Sequence, residues 1–107
     1  MLPQFSIEER RDGDGVLRLS LRGELDLTVA ARLEERLCDL RSEGARVRLD
    51  LCQLEFIDSS GIRVVTLAAL DARRDGWDLE VVRELPPTVM RPFELLGMQA
   101  ALWPEGG

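Results

Sequence analysis

Apolar and polar residues alternate along several short segments of the chain, a pattern typical of β-strands with one buried and one solvated face. The clearest is 17–22, in which leucine occupies every odd position, and similar alternation occurs at 46–51, 77–81 and, more briefly, 5–8. These segments predict four strands. Because charged residues fill the alternate positions of three of them, we expect helices to pack mainly on one face of the sheet.

Helical periodicity fills the stretches between these strands. Residues 28–42 repeat apolar side chains at three- and four-residue intervals and predict an amphipathic helix. A second helix, 60–74, is apolar around so much of its circumference that it is either central or leaves an apolar flank for a partner. A third is predicted within 86–97, its regular part confined by Pro92, and a brief last strand is predicted at 100–103.

The order of these elements predicts an α/β fold with a mostly parallel or mixed sheet of four to five strands. Residues 12–15 are expected to form a hairpin loop, and residues 52–57 a connection. The 107 residues, 45% of them apolar, suit one domain with one core. We expect that domain to span 1–103 and the tail at 104–107 to be disordered.

Charge and composition argue against several function classes. With 14 basic and 20 acidic side chains the net charge is −6, which opposes binding to nucleic acid or anionic membranes. No apolar run could cross a bilayer and no export leader is present, so we expect a cytoplasmic protein. Histidine and lysine are absent, which disfavours a histidine-based enzyme or the usual zinc sites, and no cofactor is expected. Cys38 and Cys52 form no C-x-x-C pair and are expected to be small buried hydrophobes.

The candidate functional stretch is 54–62, where a two-residue period gives way to a helical one. Asp58, Ser59 and Ser60 therefore fall at a strand-to-helix junction, where unpaired backbone N–H groups and the helix dipole favour an anion. A serine at this position can cap the helix or accept a phosphoryl group. From the tetrapeptide Asp-Ser-Ser-Gly alone, plain capping is the simpler interpretation.

Three segments in a consistent order and spacing resemble the STAS domain, and more narrowly the single-domain anti-sigma-factor antagonists of bacteria. They are 23–26 (Gly-Glu-Leu-Asp), 56–62 (Phe-Ile-Asp-Ser-Ser-Gly-Ile) and 93–98 (Phe-Glu-Leu-Leu-Gly-Met). The resemblance implies a STAS-like sheet and a partner-switching regulator. In this family the unmodified protein binds an anti-sigma factor that is also a serine kinase, which frees the sigma factor. Phosphorylation releases that partner, and a PP2C-type phosphatase restores the first state.

The resemblance also implies a site of one phosphoacceptor, Ser59, and six flanking or partner-binding residues: Asp26, Asp58, Ser60, Gly61, Ile62 and Arg63. Ser60 is either a second cap or a minor acceptor. Asp58 is either a cap or a contact for the kinase or the partner. Asp26 has an equally ordinary role as the cap of the first helix. We expect Ile62 and Arg63 at the exposed start of the second helix, although the spacing of Ile62 also suits the core. Arg63 stands where the family often has glycine.

Other functions remain open at this point. The chain could be a STAS subunit of a larger assembly, such as a stressosome-like particle or a lipid-transport complex, that docks a fixed partner without a phospho-switch. An enzyme with Asp58 or Ser59 as nucleophile lacks a histidine or lysine base, and nucleotide binding lacks a P-loop. A phosphoserine adds about −1.5 to −2 charges, and burying an unpaired charge costs several kcal/mol, roughly a thousandfold in affinity. One hydroxyl is therefore sufficient as a switch, provided that Ser59 is accessible.

Overall fold

The computed structural model describes residues 5–104, which form four strands and four helices. The strands are β1 (Ser6–Arg11), β2 (Leu17–Leu25), β3 (Val47–Ile57) and β4 (Leu79–Val81). The helices are α1 (Leu27–Ser42), α2 (Ser59–Asp75), α3 (Pro87–Leu95) and α4 (Gln99–Leu102). Among these helices, none combines the length and the apolar content needed to cross a membrane. Of the tail predicted at 104–107, Pro104 lies in a turn and the other residues lie outside the described range.

The sheet is mixed and its strands follow one another in chain order, β1-β2-β3-β4. β1 and β2 are antiparallel and are joined by the predicted hairpin loop at 12–15, whereas β2 pairs parallel with β3, and β3 with β4. The two parallel connections contain α1 and α2. As a result, the carboxyl ends of β2 and β3 and the amino ends of these two helices meet at one edge of the sheet.

The buried positions of the central strands follow the predicted alternation. Leu19, Leu21 and Leu25 of β2 are fully buried, and so is Leu49 of β3. They pack in one hydrophobic cluster with the inner sides of α1 and α2. The alternation therefore identified the face of the sheet that carries the core.

Charged side chains at the intervening positions form an ion network across the strands. The Asp12 carboxylate accepts hydrogen bonds from Arg48 Nη1 at 2.6 Å and Arg18 Nε at 3.0 Å, and Arg18 Nη1 donates to Asp50 Oδ2 at 2.6 Å. These arginines, Arg48 above all, lower the pKa of Asp12. Burial alone would raise the pKa of Asp50, but the Cys52 N–H and Arg18 outweigh it, and the net shift is downward.

β3 is longer than predicted, because residues 52–57 continue the strand and do not form a connection. Two register shifts against β2 occur, between residues 20 and 22 and between residues 23 and 24 of that strand. Each shift places one extra residue of β3 opposite β2, which is a β-bulge. The bulges change the spacing of the buried residues from two to three, at Leu51, Leu54 and Ile57. A strand with this spacing lacks the two-residue period that identifies strands in a sequence.

The third helix continues further than Pro92 was expected to allow. Pro92 lies inside α3, beyond the first turn, where its ring removes one main-chain hydrogen bond. Val89 and Phe93 on the same helix are fully buried. Their burial offsets the lost hydrogen bond and explains why the prediction was wrong.

The last strand predicted at 100–103 is absent from the described residues, and the chain forms the short helix α4 in its place. Gly97, with φ of 68°, turns the chain before α4, and the Met98 N–H donates to Phe93 O at 2.8 Å. The Trp103 indole N–H then donates to Val81 O at 2.7 Å. Trp103 thus contacts the outer edge of β4 through its side chain and not through the backbone hydrogen bonds of a strand. β4 itself begins at Leu79, two residues later than the predicted segment.

Candidate functional site

Two aspartates begin the two long helices at the same edge of the sheet. β2 and β3 remain paired in parallel up to Leu25 and Ile57, and the next residues are Asp26 and Asp58. The Asp58 N–H donates to Leu25 O at 3.1 Å. The predicted strand-to-helix junction at Asp58 is confirmed, since α2 begins at Ser59. The amino ends of α1 and α2 therefore lie side by side.

Asp26 is the N-cap of α1. Its Oδ1 accepts hydrogen bonds from the Thr28 hydroxyl at 2.7 Å and from the Thr28 N–H at 3.0 Å. These hydrogen bonds, that of the hydroxyl above all, lower the pKa of Asp26. The side chain is thus a negatively charged cap, one of the two roles that the sequence left open.

Asp58 caps α2 and also connects it to α1. Its Oδ1 accepts from the N–H groups of Ser60 at 2.9 Å and Gly61 at 3.1 Å. Its Oδ2 accepts from the N–H of Leu27, the first residue of α1, at 3.1 Å. Both carboxylate oxygens are therefore bound by backbone groups, and one side chain fixes the relative position of the two helix starts.

Ser59 is the first residue of α2 and its side chain is exposed to solvent. Within residues 5–104, its hydroxyl makes no hydrogen bond. Ser60 is half-buried, and its backbone N–H is held by Asp58. Of the two serines, Ser59 is the more exposed, as a phosphoacceptor must be.

Gly61 and Ile62 face inward. A Cβ at position 61 would lie 2.7 Å from Leu25 Cγ and 2.8 Å from Ile57 Cγ1, so only glycine allows α2 to approach the strand ends this closely. Ile62 is 5% exposed and belongs to the hydrophobic core, which corrects the expectation that it lies on the exposed start of α2. Arg63 is exposed, as expected.

Large apolar side chains are exposed at the same edge of the sheet as Ser59. Leu27 is 74% exposed at the start of α1, and Phe56 is 47% exposed two residues before Asp58. We refer to Asp26, Leu27, Phe56, Ser59 and Arg63 as the docking face. It continues along α2, because positions four, eight and eleven residues after Ser59 lie on the same side of a helix. The last two of these are Leu67 and Leu70, both exposed, which confirms that α2 leaves an apolar flank.

Leu27 and Phe56 were not predicted as site residues. Leu27 lies three residues before the buried Ala30, so helical spacing places it on the buried side of α1. It is exposed because it occupies the first position of the helix, beyond the end of β2. Phe56 lies beside the second bulge of β3, where the inside and outside positions exchange. Neither exposure has a signal in the sequence pattern.

The cysteines differ from the prediction that they are small buried hydrophobes. Cys38 on α1 and Cys52 on β3 are both exposed. Hydrogen bonding to Asp50, together with partial burial, raises the pKa of the Cys52 thiol. Among residues 5–104 no group of His, Cys, Asp or Glu side chains is arranged to hold a metal ion.

Comparison with known proteins assigns this arrangement to a family. A family model described as "Mlab, STAS domain" matches residues 9–104. BtrV of Bordetella bronchiseptica, provisionally named an anti-sigma factor antagonist, is 40% identical over 85 residues, which cover 78% of this chain and 72% of BtrV. The chain belongs to the STAS-domain anti-sigma factor antagonists. This STAS domain is also 30% identical over 89 residues to the anti-sigma-F factor antagonist RsfB of Mycobacterium tuberculosis, covering 81% of the chain and 70% of RsfB.

Solved structures show that the STAS fold extends over the described chain. An anti-sigma factor antagonist from Mycobacterium paratuberculosis superposes with a TM-score of 0.76 at 24% identity, over 94% of this chain and 84% of that one. The phosphorylated form of the Bacillus cell fate determinant SpoIIAA gives a TM-score of 0.65 at 21% identity, over 90% and 86% of the two chains. The family is regulatory, not catalytic. The fold class expected from the resemblance is thus confirmed.

Proposed function

We propose that this antagonist is a partner switch controlled by phosphorylation of Ser59. The unphosphorylated protein binds an anti-sigma factor that is also a serine kinase, and so releases the sigma factor. Phosphorylation of Ser59 by that kinase ends the complex, and a PP2C-type phosphatase restores it in the cytoplasm. The observation that carries this proposal is the exposed Ser59 hydroxyl on a surface that also exposes Leu27 and Phe56.

The hydrogen bonds at the helix starts determine where a phosphate on Ser59 would lie. The N–H groups of Ser60, Gly61 and Leu27 already donate to Asp58, and that of Thr28 donates to Asp26. Few backbone donors therefore remain to draw the phosphate onto the protein, and the carboxylates of Asp26 and Asp58 repel it, whereas the exposed Arg63, four residues after Ser59 on the same side of α2, attracts it. In our proposal the added charge stays on the docking face, where the partner would lie.

The apolar part of the docking face explains why a charge there ends binding. A partner that covers Leu27 and Phe56 removes water from the adjacent Ser59. A neutral hydroxyl tolerates this environment, whereas a phosphate that adds about −1.5 to −2 charges loses its hydration. The cost of several kcal/mol corresponds to roughly a thousandfold in affinity. The fold of the antagonist need not change, because Asp58 continues to hold both helices.

Known relatives support both parts of the proposal, antagonism of an anti-sigma factor and phosphorylation. RsfB is named for antagonism of an anti-sigma factor, and SpoIIAA has been solved in unphosphorylated and phosphorylated forms. The second fact shows that the SpoIIAA fold accepts a phosphate. For this chain, the same modification is our inference from the position of Ser59.

Incubation with ATP and the serine kinase encoded nearest to this gene, followed by intact-mass spectrometry, tests the acceptor. The wild type and Ser60→Ala should each gain one phosphoryl group, and Ser59→Ala none. Isothermal calorimetry with the same kinase tests the switch. Ser59→Ala should bind about as tightly as the unmodified protein, and Ser59→Asp at least about tenfold more weakly, since its single charge is smaller than that of a phosphate. Equal affinities of the two variants would contradict the proposal.

A fixed subunit of a larger assembly is the second candidate. The family model that matches the chain is described as "Mlab, STAS domain" and does not by itself distinguish this function from antagonism. In that function the docking face binds its partner permanently and Ser59 is only the first residue of α2, without a modification. Absence of a phosphoryl group on Ser59 with every neighbouring kinase, together with a stable complex that Leu27→Ser weakens, would favour this alternative.

A further inference from the structure

A groove runs along the outer edge of β4, far from the docking face. It has a volume of about 520 Å³ and lies between the last turns of α2, the edge strand β4 and the segment from α4 to Pro104. From Ser59 to Arg73 on the groove wall, the helix rises about 21 Å. A volume of this size lies within the range of pockets that hold small organic ligands, about 300–1,000 Å³.

The groove has a fixed apolar lining. Val81, Leu102 and Trp103 contribute buried side chains, and Leu79 a half-buried one. The Trp103 indole is held in place by its hydrogen bond to Val81 O. Such a preformed apolar wall contacts the body of a ligand without first having to rearrange.

Positive charge lies at the same groove. Arg73 comes from α2, and its Nη1 makes one long hydrogen bond, 3.4 Å, to Ala100 O. Arg83 follows β4, and its guanidinium lies 5.5 Å from the centre of the Trp103 ring. The acidic residue on the lining, Glu80, accepts a hydrogen bond from Arg48 Nε at 3.2 Å, so its charge is partly compensated. In a chain with a net charge of −6, this groove is locally suited to an anion.

We propose that the β4 groove binds a small organic anion with an apolar body, a carboxylate on an aliphatic chain or ring. The carboxylate pairs with Arg73, which can donate in bidentate geometry, while Arg83 adds positive charge beside it and keeps its contact with the Trp103 ring; the apolar body contacts Leu79, Val81 and Trp103. This inference does not depend on phosphorylation of Ser59, because none of the groove residues belongs to the docking face.

Titration of the isotope-labelled protein with sodium octanoate, followed by NMR, tests the location. Saturable shifts are expected for the Trp103 indole N–H and the amides of Leu79–Val81. The second tryptophan is an internal control, since the Trp77 indole N–H donates to Ala45 O and Trp77 does not line the groove. Equal movement of both indole signals, or no saturation, would show that octanoate does not occupy this groove.

The role of the charge is tested by the ligand and by the protein. Octanol, which keeps the chain but lacks the carboxylate, should bind at least about tenfold more weakly, and so should octanoate to Arg73→Gln, because a charge-assisted hydrogen bond is lost. Arg74→Gln is the matched control, since Arg74 bonds to Asp71 and Asp75. A similar loss in Arg74→Gln, or equal binding of octanol, would overturn the proposal.

Discussion

Asp58→Ala should destabilise the protein more than loss of an ordinary helix cap. The substitution removes the side-chain cap of α2, which contributes about 1 kcal/mol. It also removes the hydrogen bond from Leu27 N–H to a carboxylate, worth about another 1 kcal/mol at an exposed position. We therefore expect the free energy of unfolding to fall by about 2 kcal/mol. For a domain of this size, Tm should fall by roughly 10 °C.

Asp58→Ser separates the two contributions. A serine hydroxyl at an N-cap position accepts from the following turn and restores most of the cap of α2. With a single oxygen used in this way, it cannot also bind the Leu27 N–H. Urea denaturation should therefore place Asp58→Ser about 1 kcal/mol below the wild type, between the wild type and Asp58→Ala.

Asp26→Ala is the control for this series, because Asp26 caps α1 and its carboxylate accepts hydrogen bonds from the first turn of that same helix, chiefly from Thr28. It should cost about 1 kcal/mol, the value for one cap. Our interpretation of Asp58 as a link between helices would be refuted by either of two results. One is an Asp58→Ser variant as stable as the wild type. The other is an Asp58→Ala variant no less stable than Asp26→Ala.

Three further predictions concern the packing and charge of the fold. Gly61→Ala places a methyl group against the core and should cost about 1–3 kcal/mol in urea denaturation, whereas Gly13→Ala, with open space around its Cβ, should cost little. The Thr66 hydroxyl is buried without a hydrogen-bond partner among the described residues, so Thr66→Val should raise Tm and Thr66→Ser lower it. The pKa values of Asp12 and Asp50 are lowered by folding, so their contribution to stability is present above about pH 4 and lost in more acidic solution. Asp12→Asn should flatten this part of a pH–stability profile, and an unchanged profile would contradict it.

Local patterns in the sequence were sufficient for much of the fold. The alternation at Leu19 and Leu21 located the core face of β2, and the acidic residue before α2 located its start. Where the pattern depends on a neighbouring strand, the sequence carried less information. The bulges of β3 are defined only by its pairing with β2, so residues 52–57 were predicted to be a connection and not a strand. The prediction of a last strand at 100–103 was wrong for a similar reason. The Trp103 side chain hydrogen-bonds to the edge of the sheet that a further strand would otherwise occupy.

The candidate site shows the same division between local and distant information. That Ser59 follows a cap residue could be predicted from neighbouring residues, since capping is a property of one helix turn. That Asp58 also binds Leu27 could not, because the two residues are 31 positions apart and meet only once β2 and β3 have paired. This distant contact has the larger consequence for the geometry of the site. By accepting hydrogen bonds from the backbone at both helix starts, Asp58 fixes the surface on which the exposed Ser59 hydroxyl lies.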